Sequence, residues 1–274
     1  MKRIILPIAL CLFLSSQCSK ELVIIQEDFS KNAINEDPSN AIVQYFQKEF
    51  VSKSANECVP WEEIISNSEY QELPEHLKQK VREQFFDDCL AKNINDEDYG
   101  KEYSKFLLKA LEAEKGISFG DNEGCVYGDC KDGYGIYIWS TGSTYAGQWK
   151  DYLRNDEGTF TFSNGDRYTG QYKDDKKNGK GTYTWRLERA KYAGQWGNGN
   201  MHGKGLHNWP DGAKYEGQWK DDKRNGEGTL IYQDGEKYIG QLEDGKRHGK
   251  GILYDRNGQI RLKGNFKNDE YVGE

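Results

Sequence analysis

The chain has 274 residues, a formal charge of -7, 30% charged and 13% aromatic residues, and 31 glycines against 5 prolines. An aromatic fraction this high with moderate net charge is opposite to the composition of chains that cannot bury a core, and a mean hydropathy of -0.95 excludes a polytopic membrane protein. The acidic balance, 45 Asp and Glu against 38 Lys and Arg, argues against nucleic acid as a partner, because phosphate binding needs a basic surface. Composition also shifts along the chain. Only Gly100, Gly116 and Gly120 precede residue 121, whereas six of the seven tryptophans follow it. Residues 19 to 120 hold 12 Lys and Arg against 21 Asp and Glu, while residues 121 to 274 hold 24 of each.

At the start, Lys2 and Arg3 precede an apolar run from Ile4 to Leu14, followed by Ser15, Ser16, Gln17 and Cys18. Eleven apolar residues rise only about 16 Å as a helix, too short for a ~30 Å hydrocarbon core. Residues 1-17 therefore read as a signal peptide. A cysteine directly after such a run resembles a bacterial lipobox, with Gln17 and the early Leu14 making it loose in the manner of spirochaete lipoboxes. The resemblance implies cleavage before Cys18, acylation of Cys18, a membrane partner through that acyl anchor, and a place in the bacterial cell envelope at the outer membrane or periplasmic face. The alternative is an ordinary secretory signal cut nearby. Without Cys11 and Cys18, the cysteines are Cys58, Cys89, Cys125 and Cys130, an even number suited to an oxidising compartment. Three pairings are open, and Cys58 with Cys89 and Cys125 with Cys130 is favoured. The second pair requires a turn, because five residues of straight strand span about 16 Å and a disulfide holds Cα atoms within about 7 Å.

Residues 18-37 read as a tether. Residues 38-118 read as an acidic helical module. Ala41, Ile42, Tyr45, Phe46, Phe50 and Val51 recur at helical spacing, Pro60 opens a short helix, Pro74 opens another running to Leu90, and Asp96 to Lys115 gives the last. Its carboxylates, such as Asp87-Asp88 and Asp96-Glu97-Asp98, lie together or at helix starts, where the helix dipole favours negative charge.

Residues 121-274 repeat one motif. Tyr145-Ala146-Gly147-Gln148-Trp149 returns at Tyr168 to Tyr172, Tyr192 to Trp196, Tyr215 to Trp219 and Tyr238 to Leu242, and a second glycine follows each central one as Gly158, Gly181, Gly205, Gly228 and Gly251. A degenerate copy begins at Leu262, and Val126 to Cys130 opens a shortened first unit. Each unit holds two stretches of alternating type, with Asn164-Gly165, Asp211-Gly212, Asp234-Gly235 and Asn257-Gly258 as hairpin turns. Alternation puts Tyr215, Gly217 and Trp219 on one face of a strand. Six two-stranded units would span roughly 55 to 60 Å. The loops Asp174 to Asn178 and Asp221 to Asn225 read as solvated turns, and Trp185 to Lys191 as a longer, basic turn.

The Y-x-G-x-W and G-x-G pattern resembles the MORN (membrane occupation and recognition nexus) repeat. The resemblance implies an elongated antiparallel meander of stacked hairpins, and the fold class expected for the whole chain is α+β. The candidate binding surface is the aromatic set Trp139, Tyr145, Trp149, Tyr168, Tyr172, Trp185, Tyr192, Trp196, Trp209, Tyr215, Trp219, Tyr232 and Tyr238. The competing reading makes the same ladder the core of the slab.

With His76, His202, His207 and His248 scattered and no G-x-S-x-G, P-loop or H-E-x-x-H, no catalytic or metal site is legible and no cofactor is expected. The leading expectation is a non-catalytic envelope lipoprotein whose slab is a protein-interaction or self-association scaffold. Its partner would be an unknown envelope protein or glycan, or a second copy in a homodimer formed through the C-terminal edge strand. Phospholipid-headgroup or glycan binding by the repeats is the alternative, and an enzyme with its site in the helical module the third.

Overall fold

A computed structural model describes residue 58 and residues 60-95, 98-115 and 123-274. The expected leader, Cys18, the tether and the Ala41 to Val51 helix lie outside the described residues. The rest is α+β: a helical module followed by a fourteen-stranded open antiparallel meander.

The module contains α1 (Trp61–Ser66), α2 (Ser68–Glu72), α3 (Glu75–Phe85) and α4 (Tyr99–Lys115). Pro60 and Pro74 stand just before α1 and α3, in the extended conformation that a helix entry needs. The helix expected to reach Leu90 leaves regular α geometry after Phe85, with a π turn over Phe86–Leu90 and a 3-10 turn over Ala91–Asn93. Cys89 lies in that π turn, its Sγ 2.03 Å from that of Cys58 and the Cα atoms 5.8 Å apart. The last helix is described from Tyr99, and ahead of it the Asn95 side chain accepts the Asp98 N–H at 3.0 Å. Inside, Trp61 packs edge-on against Tyr70 and Phe106, and the fully buried Arg82 donates to both Glu114 oxygens at 2.8 and 2.5 Å.

Strands follow in chain order: β1 (Gly124–Gly128), β2 (Tyr134–Ile138), β3 (Thr144–Lys150), β4 (Leu153–Thr161), β5 (Arg167–Lys173), β6 (Lys176–Trp185) and β7 (Ala190–Gly197). They continue as β8 (Asn200–Asn208), β9 (Lys214–Lys220), β10 (Lys223–Ile231), β11 (Lys237–Glu243), β12 (Lys246–Tyr254), β13 (Ile260–Lys267) and β14 (Glu270–Gly273). Each strand pairs only with its chain neighbours. The turns divide differently from the sequence reading. Asp174-Asp175 and Asp221-Asp222 form the tight two-residue links, both residues of each left-handed with φ of 48° and 66°, the geometry that matches strand twist. Asn164-Gly165 instead sits in a longer loop closed by Phe162 N–H to Asp166 O at 2.8 Å. Lys176 to Asn178 and Lys223 to Asn225 thereby become strand rather than loop.

Register aligns the glycines across the sheet, as Gly147 with Gly158, Gly158 with Gly170, and onward to Gly251 with Gly264. At the first unit Cys125 and Cys130 have Cα atoms 5.9 Å apart across the β1–β2 turn.

The module does not stand apart. Tyr103, Leu107 and Leu111 of α4 bury Ile136, Ile138 and Ala146 on one face of β2 and β3. The Gly100 N–H donates to Ser163 O at 3.0 Å, and a Cβ at Gly100 would stand 2.6 Å from Ser163 Cα. Arg186, in the longer basic turn, lies 4.3 Å over the Tyr99 ring and so meets the chain's own module. Arg167 of β5 reaches Asp87 at 2.9 Å and Glu83 at 3.6 Å. Burial raises the Glu83 carboxyl above the usual carboxylate range, against the pull of Arg167. Replacing Arg167 with Met leaves that carboxylate buried and unpaired, so urea unfolding at pH 7 should show a loss of about 3 to 5 kcal/mol. A folded carboxyl raised above its unfolded range is stabilised relative to the unfolded chain as the pH falls, so the variant should regain part of this loss on acidification.

Candidate functional site

One face of the array carries the repeat aromatics. Tyr145, Tyr168, Tyr192, Tyr215 and Tyr238 are each 0% exposed, their rings lying over facing glycines. A Cβ at Gly147 would stand 2.6 Å from Tyr145 Oη and 2.5 Å from Gly158 Cα. Each buried hydroxyl donates to the carbonyl three residues on, from Tyr145 to Gln148 at 3.0 Å through Tyr238 to Gln241 at 2.8 Å. The residue four positions after the tyrosine meets it edge-on and also meets the tyrosine of the preceding repeat, as Trp196 does with Tyr192 at 5.1 Å and Tyr168 at 5.2 Å. Trp149, Trp196 and Trp219 donate Nε1–H to Gly135, Gly181 and Gly205 carbonyls at 3.1 to 3.2 Å.

This packing splits the aromatic set expected at the binding surface. Tyr145, Trp149, Tyr168, Tyr172, Tyr192, Trp196, Tyr215, Trp219 and Tyr238 are buried and form the core, because a single-layer sheet has no second layer to cover them. Trp139, Trp185, Trp209 and Tyr232 are half-buried and stand at the solvent side of that core.

Beside them runs a row that the sequence reading missed. Arg154, Lys177, Met201, Arg224 and Arg247 each lie nine residues after a repeat tyrosine. Arg154 lies 5.0 Å from the Phe160 ring and 5.4 Å from Tyr172, Lys177 4.0 Å from Trp196, Arg224 5.8 Å from Trp209, and Arg247 5.4 Å from Phe266. Turn aspartates orient the row, with Asp175 accepting from Arg154 Nε at 2.9 Å and Asp269 from Arg247 Nε at 3.3 Å. Burial against the rings lowers the Lys177 pKa. Repeat alignment was the available signal; it was hidden because each member is separated by one residue from a tight turn, among other charges.

Aromatic shelf and cation row enclose two hollows. One, of about 940 Å³, lies among Tyr137, Trp139, Trp149, Arg154 and Phe160. The other, of about 560 Å³, lies among His207, Trp209, Trp219, Arg224 and Tyr232. They are equivalent positions three repeats apart, with Trp139 corresponding to Trp209 and Arg154 to Arg224. His207 occupies the place of Tyr137, sandwiched 5.2 Å from Trp185 and 4.1 Å from Trp209.

The MORN repeat family model matches residues 123–144, 145–167, 168–186, 192–214, 215–237 and 238–260. The array is a run of six MORN repeats. The shortened first unit counts as a repeat, whereas the degenerate copy at Leu262 lies beyond the last match. No curated protein matches the chain. Among solved structures it is similar to the TCP domain of Drosophila melanogaster SAS-4 (dCPAP) in complex with a proline-rich motif of Ana2 (dSTIL), at 13% identity and a TM-score of 0.29, over 47% of this chain and 84% of that one. It is also similar to the TCP10c domain of Drosophila melanogaster Sas-4, at 13% identity and a TM-score of 0.28, over 48% of this chain and 93% of that one. MORN repeats are binding modules, which gives the array a binding or scaffold role.

Burial, and then repulsion from Arg224, lower the His207 pKa to about 4, and its Nδ1 has no hydrogen-bond partner among the described residues. With a folded pKa below the unfolded one, the unfolded chain takes up a proton that the folded chain refuses, so stability falls as pH drops from about 6.5 toward 4. His207→Tyr restores the residue found at position 137 and removes this proton. Thermal unfolding between pH 7 and 5 should therefore show a smaller loss of Tm in the variant than in the parent.

Proposed function

We propose that the chain is a cell-envelope lipoprotein, held by an acylated Cys18, that presents its repeat array as a non-catalytic protein-interaction scaffold. The observation that carries the binding site is the groove itself: half-buried Trp139, Trp185, Trp209 and Tyr232 beside a repeat-phased row of cations. One two-stranded unit advances about 9 to 10 Å, and three residues of extended or polyproline II chain cover the same distance. A peptide laid along the groove would thus set one side chain per repeat on an aromatic shelf, with its carbonyl or acidic groups toward Arg154, Arg224 and Arg247. The helical module offers less support for catalysis, since Glu75 and Glu114 are engaged by Arg82, and Glu83 and Asp87 by Arg167.

Peptide-display selection on the full chain, counter-selected on the Trp139→Ala/Trp209→Ala variant, tests the groove. Selected peptides should bind the variant at least about tenfold more weakly. Equal binding to both proteins removes the groove from the proposal, and soluble glycan strands showing that same tryptophan dependence would favour the glycan reading. The anchor is tested separately. Cys18→Ser should shift the protein from the membrane to the soluble fraction of the cell, and unchanged retention would refute acyl anchoring.

A further inference from the structure

Charge in the array sums to zero along the chain, but its carboxylates gather in the turns while lysines line the strands. On the side opposite the groove, Lys191, Asn208, Lys214, Ile231 and Lys237 are successive cross-strand partners in one row. A second row carries Lys180, Lys204 and Lys250, which face Gln195, Gln218 and Asn265. Between the rows runs a floor of small and apolar residues, Thr182, Ala193 and Leu206 on β6 to β8, and Thr229, Ile239 and Ile252 on β10 to β12. Glu216 on the floor and Glu227 in the second row are the carboxylates among these positions. Ile239 is 39% exposed, and Lys180, Lys191, Lys204 and Lys214 are all exposed.

The same rows begin under the helical module, which shows what they accommodate. The floor starts with Ile136 and Ala146, 0% and 5% exposed beneath Leu107 and Leu111 of α4. The Lys191 row includes Arg167, across Thr184, and Arg167 takes Asp87 and Glu83 of the module. A helix on the floor and carboxylates on the flanking cations are therefore already realised over the first strands. From β6 onward, floor and cations continue with no described helix on them. The two lysine rows stand four residues apart along the strands, about 13 Å, and a helix with its side chains measures about 10 to 12 Å across.

We propose that this trough is the docking site for an acidic amphipathic α-helix of a partner protein. Its apolar stripe lies on Ala193, Leu206, Thr229 and Ile239, its carboxylates meet the two lysine rows, and Glu216 selects a polar or basic side chain near its middle. Continuity with the α4 interface and charge complementarity favour a helix over a planar lipid surface. The module stands about one helix diameter, ~10 Å, above the same face and would meet a flat membrane first.

The test uses the full chain and a synthetic peptide of about 18 residues with leucines at i, i+3, i+4 and i+7 flanked by glutamates, read by fluorescence anisotropy and far-UV circular dichroism. Binding with gain of helicity is expected, weakened at least about tenfold by Lys191→Glu/Lys214→Glu and likewise by Lys180→Glu/Lys204→Glu. The unfolding midpoints of these exposed-site variants should stay unchanged. Trp139→Ala/Trp209→Ala should bind the helix normally, which separates this face from the groove. No binding, equal binding of a scrambled peptide with the same composition, or indifference to both lysine pairs would each overturn the proposal. So would lysine-dependent capture of phosphatidylglycerol vesicles without peptide binding, or a lysine-dependent dimer by light scattering, which would assign the face to lipid or to a second copy.

Discussion

Tyrosine rings lying flat on a row of facing glycines are the contact on which the array depends. A single antiparallel sheet has no second layer, so large side chains on its surface would remain wet. Here each repeat removes two side chains from one row of the sheet, at Gly147 and Gly158 and their equivalents, and lays a tyrosine into the gap. The ring is then covered by the aromatic residues of its own repeat and the next, and its hydroxyl finds a backbone carbonyl. Burying such side chains stabilises by about 2 to 3 kcal/mol each, which offsets the entropy lost in ordering glycine-rich strands. Where Asp156 replaces the first G-x-G glycine it adopts the same left-handed conformation, φ 52° against 66° at Gly179, and the β3–β4 pair keeps the register shift between Gly147 and Trp149 that β5–β6 shows between Gly170 and Tyr172.

Two unlike faces follow from that arrangement. Because the aromatic core occupies one side, the alternate residues of every strand fall on the other, and there the chain places lysine, threonine and small apolar residues. Aspartates collect in the tight turns, where their left-handed backbone is tolerated and their carboxylates orient the groove cations. The helical module settles on the lysine face and leaves the groove face open. Its seat combines apolar burial under α4 with the pairing of half-buried Arg167 to buried Glu83 and half-buried Asp87, which is weak as a source of net stability but fixes where the module sits.

Sequence periodicity was legible wherever one residue type repeats against a fixed background. The spacing of Tyr145, Tyr168, Tyr192, Tyr215 and Tyr238 gave the meander, and Cys125 with Cys130 required the turn that the structure contains. Legibility failed where residue type is ambiguous about environment. Trp196 and Trp209 are the same amino acid within one repeat, yet one is 5% exposed in the core and the other half-buried at the groove. Lys177 reads as one more charge after Asp174-Asp175, and only the two-residue turn puts it on the aromatic side of a strand.

The sequence by itself determined the order of the modules, the repeat length, the one-face alternation of each strand and the α+β class. These depend on local periods of two residues, of 3.6 residues and of one repeat, which a chain displays without folding. Tertiary structure alone decided which aromatics are core and which are surface, that the cations Arg154, Lys177, Arg224 and Arg247 form one row, and that the acidic module rests on a basic face. Those outcomes depend on side chains from different strands meeting across the sheet. A net charge of -7, or a neutral array within it, therefore contains no record of cations lined up on both faces and carboxylates gathered in the turns.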